Sequence, residues 1–290
     1  MHNYVIVSDA TLDLPIDVIK KYDIRVIPMA FDLNDVSYLH YPDERQLTIE
    51  DFYAKLKEGG VARSSQITPA IYEEFIGEIL KEGSDVLYIS FTSGMSGTFN
   101  SARIAFSELA EEYPDRKLIC VDSLSASIGE GLLVMNAAIK KEEGLSMDEV
   151  AAWVTEHRHN ARHWFTVKDL FHLKRGGRIS GIEALVGTAL KIRPVLTVDM
   201  EGKLAVNSKV RGSKKELEFL VNKLKEEGID TANQTVLVGH GDDLEQAELL
   251  KQMLEENKLA KEVLISKIGP VIGTHTGPGM LALTFLGKYE

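Results

Sequence analysis

Along the first half of the chain, short apolar runs alternate with amphipathic stretches. "YVIVSD" (Tyr4–Asp9) is an apolar run that ends in polar residues, the pattern of a buried strand, and "DVLYIS" and "KLICVDS" repeat it. "IRVIPMAFDL" reads as a further extended run, with Pro28 favouring an edge or irregular position. Between these runs, "LPIDVIKKY", "LTIEDFYAKLKEG", "TPAIYEEFIGEILKEG", "GTFNSARIAFSELAEEY", "IGEGLLVMNAAIKKEEG" and "SMDEVAAWVTEHRHNA" carry apolar residues at helical spacing. Two of these helices stop at Gly59 and Gly83, and Thr68 followed by Pro69 reads as an N-cap and first-turn proline. Strand and helix in alternation predict a parallel sheet covered by helices on both faces, with ligands beyond the carboxyl ends of the strands.

The pattern changes near Arg162. "HWFTV", "RPVLTVDMEGKLAVNSKV", "TVLVGHG", "KEVLISKIG" and "GMLALTFLG" are extended, "MEGKL" reads as a hairpin turn, and two helices intervene. The expected fold is therefore α/β with two domains. An N-terminal parallel-sheet α/β sandwich spans residues 1–161, and a smaller mixed-sheet α/β domain spans 162–290.

Composition narrows the function. At 290 residues with 44% hydrophobic and 27% charged, the chain has ample length for a core and an internal ligand cavity. A net charge of −11 argues against nucleic acid and anionic lipid surfaces as general partners. The single cysteine, Cys120, sits in the apolar run "LICVD"; it reads as a buried structural thiol and fits a reducing compartment. The N-terminus shows no basic region followed by a long apolar core, and no run reaches the ~18 apolar residues of a membrane span. A cytoplasmic protein is expected.

The candidate chemistry is concentrated in a few stretches. "ISFTSGMSGTFNSAR" places Ser90, Thr92, Ser93, Ser96, Thr98 and Ser101 around Gly94 and Gly97, after a strand and before a helix. Free N–H groups, the helix dipole and small hydroxyl donors there suit a carboxylate or phosphate. A plain helix cap at Ser96 or Thr98 explains the same residues. "RSSQITP" is a second hydroxyl-rich helix entrance, with Ser64 and Ser65 ahead of Thr68. "IGPVIGTHTGPGMLAL" reads as a rigid apolar loop holding His275, either as a donor to a carboxylate or as an ordinary core histidine. Lys174, Arg175 and Arg178 in "KDLFHLKRGGRIS", and Arg211 in "SKVRGSKKE", face an anion or simply solvate helix ends. His240, Asp242 and Asp243 read better as a strand end and an acidic helix start than as a metal site, and His157, His159 and His163 as surface or hinge residues. Nucleotide-binding loops, kinase signatures and the GxSxG elbow are all absent from the sequence.

Taken in order, "VSDATLDLP", "SSQITP", "TSGMSGTFNSA", "VDSLSASIGEGLL", "KDLFHLKRGGRIS", "ALKIRPVLTVDMEGKL", "KVRGSKK" and "GPVIGTHTGPGMLAL" resemble the DegV family of bacterial fatty-acid-binding proteins. The family's usual T-S-Q-P entrance stands here as Ser64-Ser65-Gln66-Ile67; the proline is lost and the hydroxyl survives. The resemblance implies a long-chain fatty acid held between the two domains and no cofactor or metal. Ser64, Ser96, Ser93 and His275 would meet its carboxylate, and Arg178 and Arg211 would serve a kinase partner or the phosphorylated product. It further implies a non-enzymatic lipid-binding subunit that presents the acid to a separate ATP-dependent kinase, which forms an acyl phosphate. Two rivals stand beside it: a serine hydrolase or acyltransferase using Ser96 and His275, and a dihydroxyacetone-kinase-like small-molecule-binding subunit.

Overall fold

The computed structural model describes residues 3–168, 170–179 and 192–288. Asp169, Ser180 and the first three residues of "ALKIRPVLTVDM" lie outside the described residues. Strands β1 (Tyr4–Asp9), β2 (Arg25–Ile27), β6 (Asp85–Ser90) and β7 (Leu118–Asp122) form a four-stranded sheet in the order β2-β1-β6-β7, and every pairing in it is parallel. Alternation along β1 divides its side chains between two cores. Val5 and Val7 face α3 (Pro69–Lys81) and α4 (Thr98–Glu112), with Ile76 and Phe106 among their partners. Tyr4 and Ile6 face α5 (Ile128–Glu142) and α6 (Met147–His157). A reciprocal capping box between Ser146 and Glu149 starts α6.

The remaining strands form a six-stranded mixed sheet. β8 (Ala161–Thr166), β9 (Ile192–Val198), β10 (Leu204–Arg211), β11 (Thr235–His240), β12 (Glu262–Lys267) and β13 (Leu281–Leu286) lie in the order β10-β9-β8-β13-β11-β12. Helices α8 (Ser213–Glu227) and α9 (Leu244–Glu256) cover one face through Leu220, Leu224 and Leu250. The other face packs on α5, whose apolar residues share one core with Phe165, Leu196, Leu237 and Ala282. Helix α5 is thus buried between the two large sheets and is apolar nearly all round, as a central helix must be. Gly129 permits this approach, because a Cβ there would overlap the His163 ring.

A third sheet was not foreseen from the sequence. β3 (Met29–Leu33), β4 (Val36–His40) and β5 (Ala62–Ser64) form an antiparallel sheet in the order β4-β3-β5. It packs on α2 (Ile49–Lys57) through Phe31, Phe52 and Tyr53. Pro28 marks the break between β2 and β3, so one expected extended run serves two sheets. No helix among the described residues is long and apolar enough to cross a membrane.

Candidate functional site

Two helix starts and one helix end converge on a single cavity. Ser64 closes β5, and the chain then runs through Ser65 and Gln66 to Thr68, the N-cap of α3. The hydroxyl run leaves β6 and opens α4, whose N-cap is Gly97. The two stretches touch: a Cβ on Gly97 would overlap the Gln66 amide as it stands. From the opposite side comes α10 (Pro270–Thr276), with His275 in its last turn. This corrects the expected rigid loop. The glycines and prolines of "GPVIGTHTGPG" bracket two helical turns instead of excluding them, with Pro270 at the first helical position and Gly277 just past the end.

The Ser64 hydroxyl lies 2.7 Å from His275 Nε2 across 211 positions of sequence. His275 Nδ1 is buried and has no partner among the described residues. Burial, helped by the Arg178 and Arg175 guanidiniums, pushes the imidazole down to about 4, so the ring is neutral at pH 7. The tautomer follows from hydrogen-bond economy. A proton on Nδ1 would be an orphaned donor, whereas a proton on Nε2 is donated to Ser64 Oγ. Ser64 then keeps its own O–H free to donate to a ligand.

Behind this pair the cavity has an empty volume of about 870 Å³, part of it open to solvent. Its walls are mainly apolar, with Met29, Phe91, Phe165, Leu173, Ile272 and Ala282 among them. Ser64, Ser96, His275 and Arg178 all line it. Ser96 Oγ donates to Thr98 Oγ1 at 2.9 Å and accepts the Thr98 N–H at 3.2 Å, just ahead of the helix; the cap itself is Gly97, which corrects the reading of Ser96 or Thr98 as the cap. Arg178 donates to the carbonyls of Met95 and Gly176 at 3.2 and 2.6 Å, which pins its exposed side chain at the mouth.

Two expected site residues are elsewhere. Ser93 is exposed and outside the cavity lining; its backbone N–H turns to Asp122 Oδ1 at the end of β7, 3.1 Å away. The carboxylate contact expected of Ser93 has no support in this placement. Arg211 is the last residue of β10, exposed and likewise absent from the lining. His163 also departs from its surface reading. It lies in β8, is 5% exposed, lines the cavity and is held near 4 by burial, with Nε2 accepting the Ala126 N–H. Its place within the strand pattern of "HWFTV" was the missed signal. Cys120 is half-buried in β7, and burial raises its thiol well above the ordinary range.

Thr11, also in the lining, belongs to a buried polar cluster that sequence reasoning passed over. Glu130 Oε1 and Oε2 each lie 2.9 Å from a hydroxyl, those of Ser8 and Thr11. Ser8 Oγ also reaches Ile89 O at 2.8 Å, and Thr11 Oγ1 also meets Asp9 Oδ1. Two hydroxyl protons cannot fill four contacts, an arrangement that favours a carboxyl proton within the cluster. Burial and the nearby Asp9 charge raise the Glu130 carboxyl well above the usual range.

The hydrolase arrangement is absent among the described residues: the Nε2 of His275 faces Ser64 and not Ser96, and no described carboxylate orients its Nδ1.

A family model described as "Uncharacterised protein, DegV family" matches residues 3–288. The chain belongs to the DegV family. A DegV domain-containing protein of Clostridium perfringens is 41% identical over 287 residues, covering 99% of this chain and 98% of that protein. Among solved structures, a DegV lipid binding protein of Thermotoga maritima superposes with a TM-score of 0.86 at 31% identity, covering 98% of each chain. A DegV family protein of Thermus thermophilus, described by its fatty acid binding, gives 0.87 at 31% identity and covers 98% of this chain and 99% of its own. The mixed α/β architecture with one parallel and one mixed sheet is that of DegV structures.

Proposed function

We propose that this DegV protein binds a long-chain fatty acid in the cavity and presents its carboxylate at the mouth to a separate ATP-dependent kinase. The observation that carries this reading is an apolar cavity with a neutral Ser64–His275 pair where it turns polar. The lipid and fatty-acid binding of the Thermotoga and Thermus proteins supports it. On this reading Ser64 donates its free O–H to one carboxylate oxygen. Ser96 turns its hydroxyl from Thr98 to the other, and Arg178 supplies positive charge at the opening. Arg211, distant from the cavity lining, would meet a kinase partner and not the ligand. The acid lies between the lobes 1–161 and 162–290, with walls drawn from both.

The energetics favour such a ligand. Burying about fourteen methylenes at ~0.8 kcal/mol each gives roughly 11 kcal/mol before ordering costs. Each hydrogen bond to the carboxylate adds about 1.5–3 kcal/mol. The tail therefore supplies most of the affinity and the hydroxyls supply orientation. The sequence contributes no phosphate-binding loop for ATP, in keeping with a non-enzymatic subunit served by a cytoplasmic kinase. A three-carbon polar ligand, as in the dihydroxyacetone-kinase-like reading, would leave most of these apolar walls uncovered.

Denaturing mass spectrometry of lipid extracted from the purified protein tests the ligand: a fatty acid near one equivalent is expected. Transfer of radiolabelled phosphate from ATP to that acid, dependent on both this protein and a partner kinase, tests the presentation role. Protein that binds no fatty acid when offered one would end the proposal.

A further inference from the structure

Two stretches that contribute no head-group donor, "VSDATLDLP" and "VDSLSASIGEGLL", meet at Asp13. This residue is 6% exposed and takes the left-handed conformation, with φ of 45°. Its Oδ1 accepts the backbone N–H of Gly269 at 2.9 Å. Its Oδ2 accepts the hydroxyl proton of Ser127 at 2.6 Å, and its carbonyl accepts that of Ser266. Gly269 is the N-cap of α10, the helix that ends in His275, and as glycine it brings no capping side chain of its own. Ser127 immediately precedes α5, lines the cavity, and is itself held at φ 54°, ψ −138°, a backbone region that L-residues avoid. Two strained residues hydrogen-bonded to each other, each tied to a different wall of one cavity, require a surrounding structure that over-determines them.

The geometry points to Asp13 as the positioning residue of the head-group site: it clamps the start of α10 to the start of α5 and so sets where His275 stands against Ser64. This inference rests on the fatty-acid reading of the cavity. Asp13 touches no ligand; its carboxylate sits behind the cavity, among residues that bound a separate cleft with His40 and Leu14. Burial pushes its carboxyl up to about 7, so its function as an acceptor does not depend on a permanent charge. Asparagine can reproduce the bridge, its Oδ1 accepting from Gly269 and its amide donating to Ser127 Oγ. Alanine cannot, and glutamate displaces the carboxylate by one methylene.

The test compares palmitic acid with methyl palmitate by displacement of a fluorescent fatty acid. The two share a tail, and only the acid presents a charged carboxylate to the head-group donors, the ester carbonyl being a weaker, neutral acceptor. The wild-type protein is expected to prefer the acid by about tenfold or more. Asp13→Ala and Asp13→Glu should bring that preference toward unity with ester affinity within about twofold of wild type, and Asp13→Asn should retain it. If Asp13→Ala fails to fold, the contrast between Asp13→Glu and Asp13→Asn gives the same reading. Equal loss of acid and ester, or an intact preference in Asp13→Glu, would overturn the positioning role alone. A wild-type protein that binds neither compound, or prefers neither, overturns the fatty-acid reading and this inference with it.

Discussion

Ala282→Leu offers a direct test of where the tail lies. Ala282 is 3% exposed in β13, pairs with Phe165 of β8 and Gly239 of β11, and lines the cavity. Leucine adds three carbons at that wall. If they fill space used by the ligand, an acid that reaches this point loses room for about three methylenes. At ~0.8 kcal/mol each this is about 2.4 kcal/mol, close to a 60-fold weaker affinity. Hexadecanoate and octadecanoate should show that loss, whereas dodecanoate, which ends short of the obstruction, should change by less than about threefold. Isothermal titration with acids of twelve to eighteen carbons measures the series. Overpacking itself costs about 1–3 kcal/mol of stability, so urea unfolding of the free variant is run alongside to separate the two effects. A uniform loss across all lengths, or no loss at sixteen carbons, would show that the tail does not run past β13.

Other expectations follow from the same geometry. Ser64→Ala should weaken palmitate binding by about 10- to 100-fold and methyl palmitate by less, because a bond to a charged carboxylate is stronger than one to an ester carbonyl. Glu130→Gln should unfold within about 1 kcal/mol of wild type, since the amide matches the carboxyl in shape and still meets both hydroxyls. Glu130→Ala should cost about 3 kcal/mol or more through a cavity and orphaned hydroxyls, and urea titration distinguishes them. His163 gives a pH signature. Its folded value near 4 lies below the ordinary 6.5, so below pH 6.5 the unfolded chain takes up a proton that the fold refuses. Its contribution is complete above pH 6.5 and falls by about 3 kcal/mol as the pH drops to 4. In His163→Leu that portion of the pH dependence should vanish, which stability curves at pH 4.5, 5.5, 6.5 and 7.5 would reveal.

The main strands and helices were legible because their signals are local. "YVIVSD", "DVLYIS" and "KLICVDS" are continuous apolar runs, and they became β1, β6 and β7. The small sheet escaped because β4 and β5 have little local signature. β4 has only partial burial in "VSYLH", β5 has three residues, and both depend on pairing with β3. Ser64, Ser96 and His275, singled out from residue type and order, line one cavity, yet their meeting could not be read, since periodicity carries no distance between Ser64 and a residue 211 positions away. Ser93 was placed with Ser96 by the resemblance, yet the fold leaves it exposed and outside the cavity lining, its N–H bonded to Asp122. The helix around His275 was hidden by composition, because glycine and proline at its two ends resembled a loop when counted together.

The Ser64–His275 contact joins an early strand to a helix near the end of the chain. Nearly the whole polypeptide must be in place before that grip exists, and loop closure on this scale comes late in folding. A partly folded or truncated chain would display greasy walls with nothing to orient an acid against them. Occupancy by the acid would then report a finished molecule, and by mass action it would raise the melting temperature in proportion to the logarithm of free ligand.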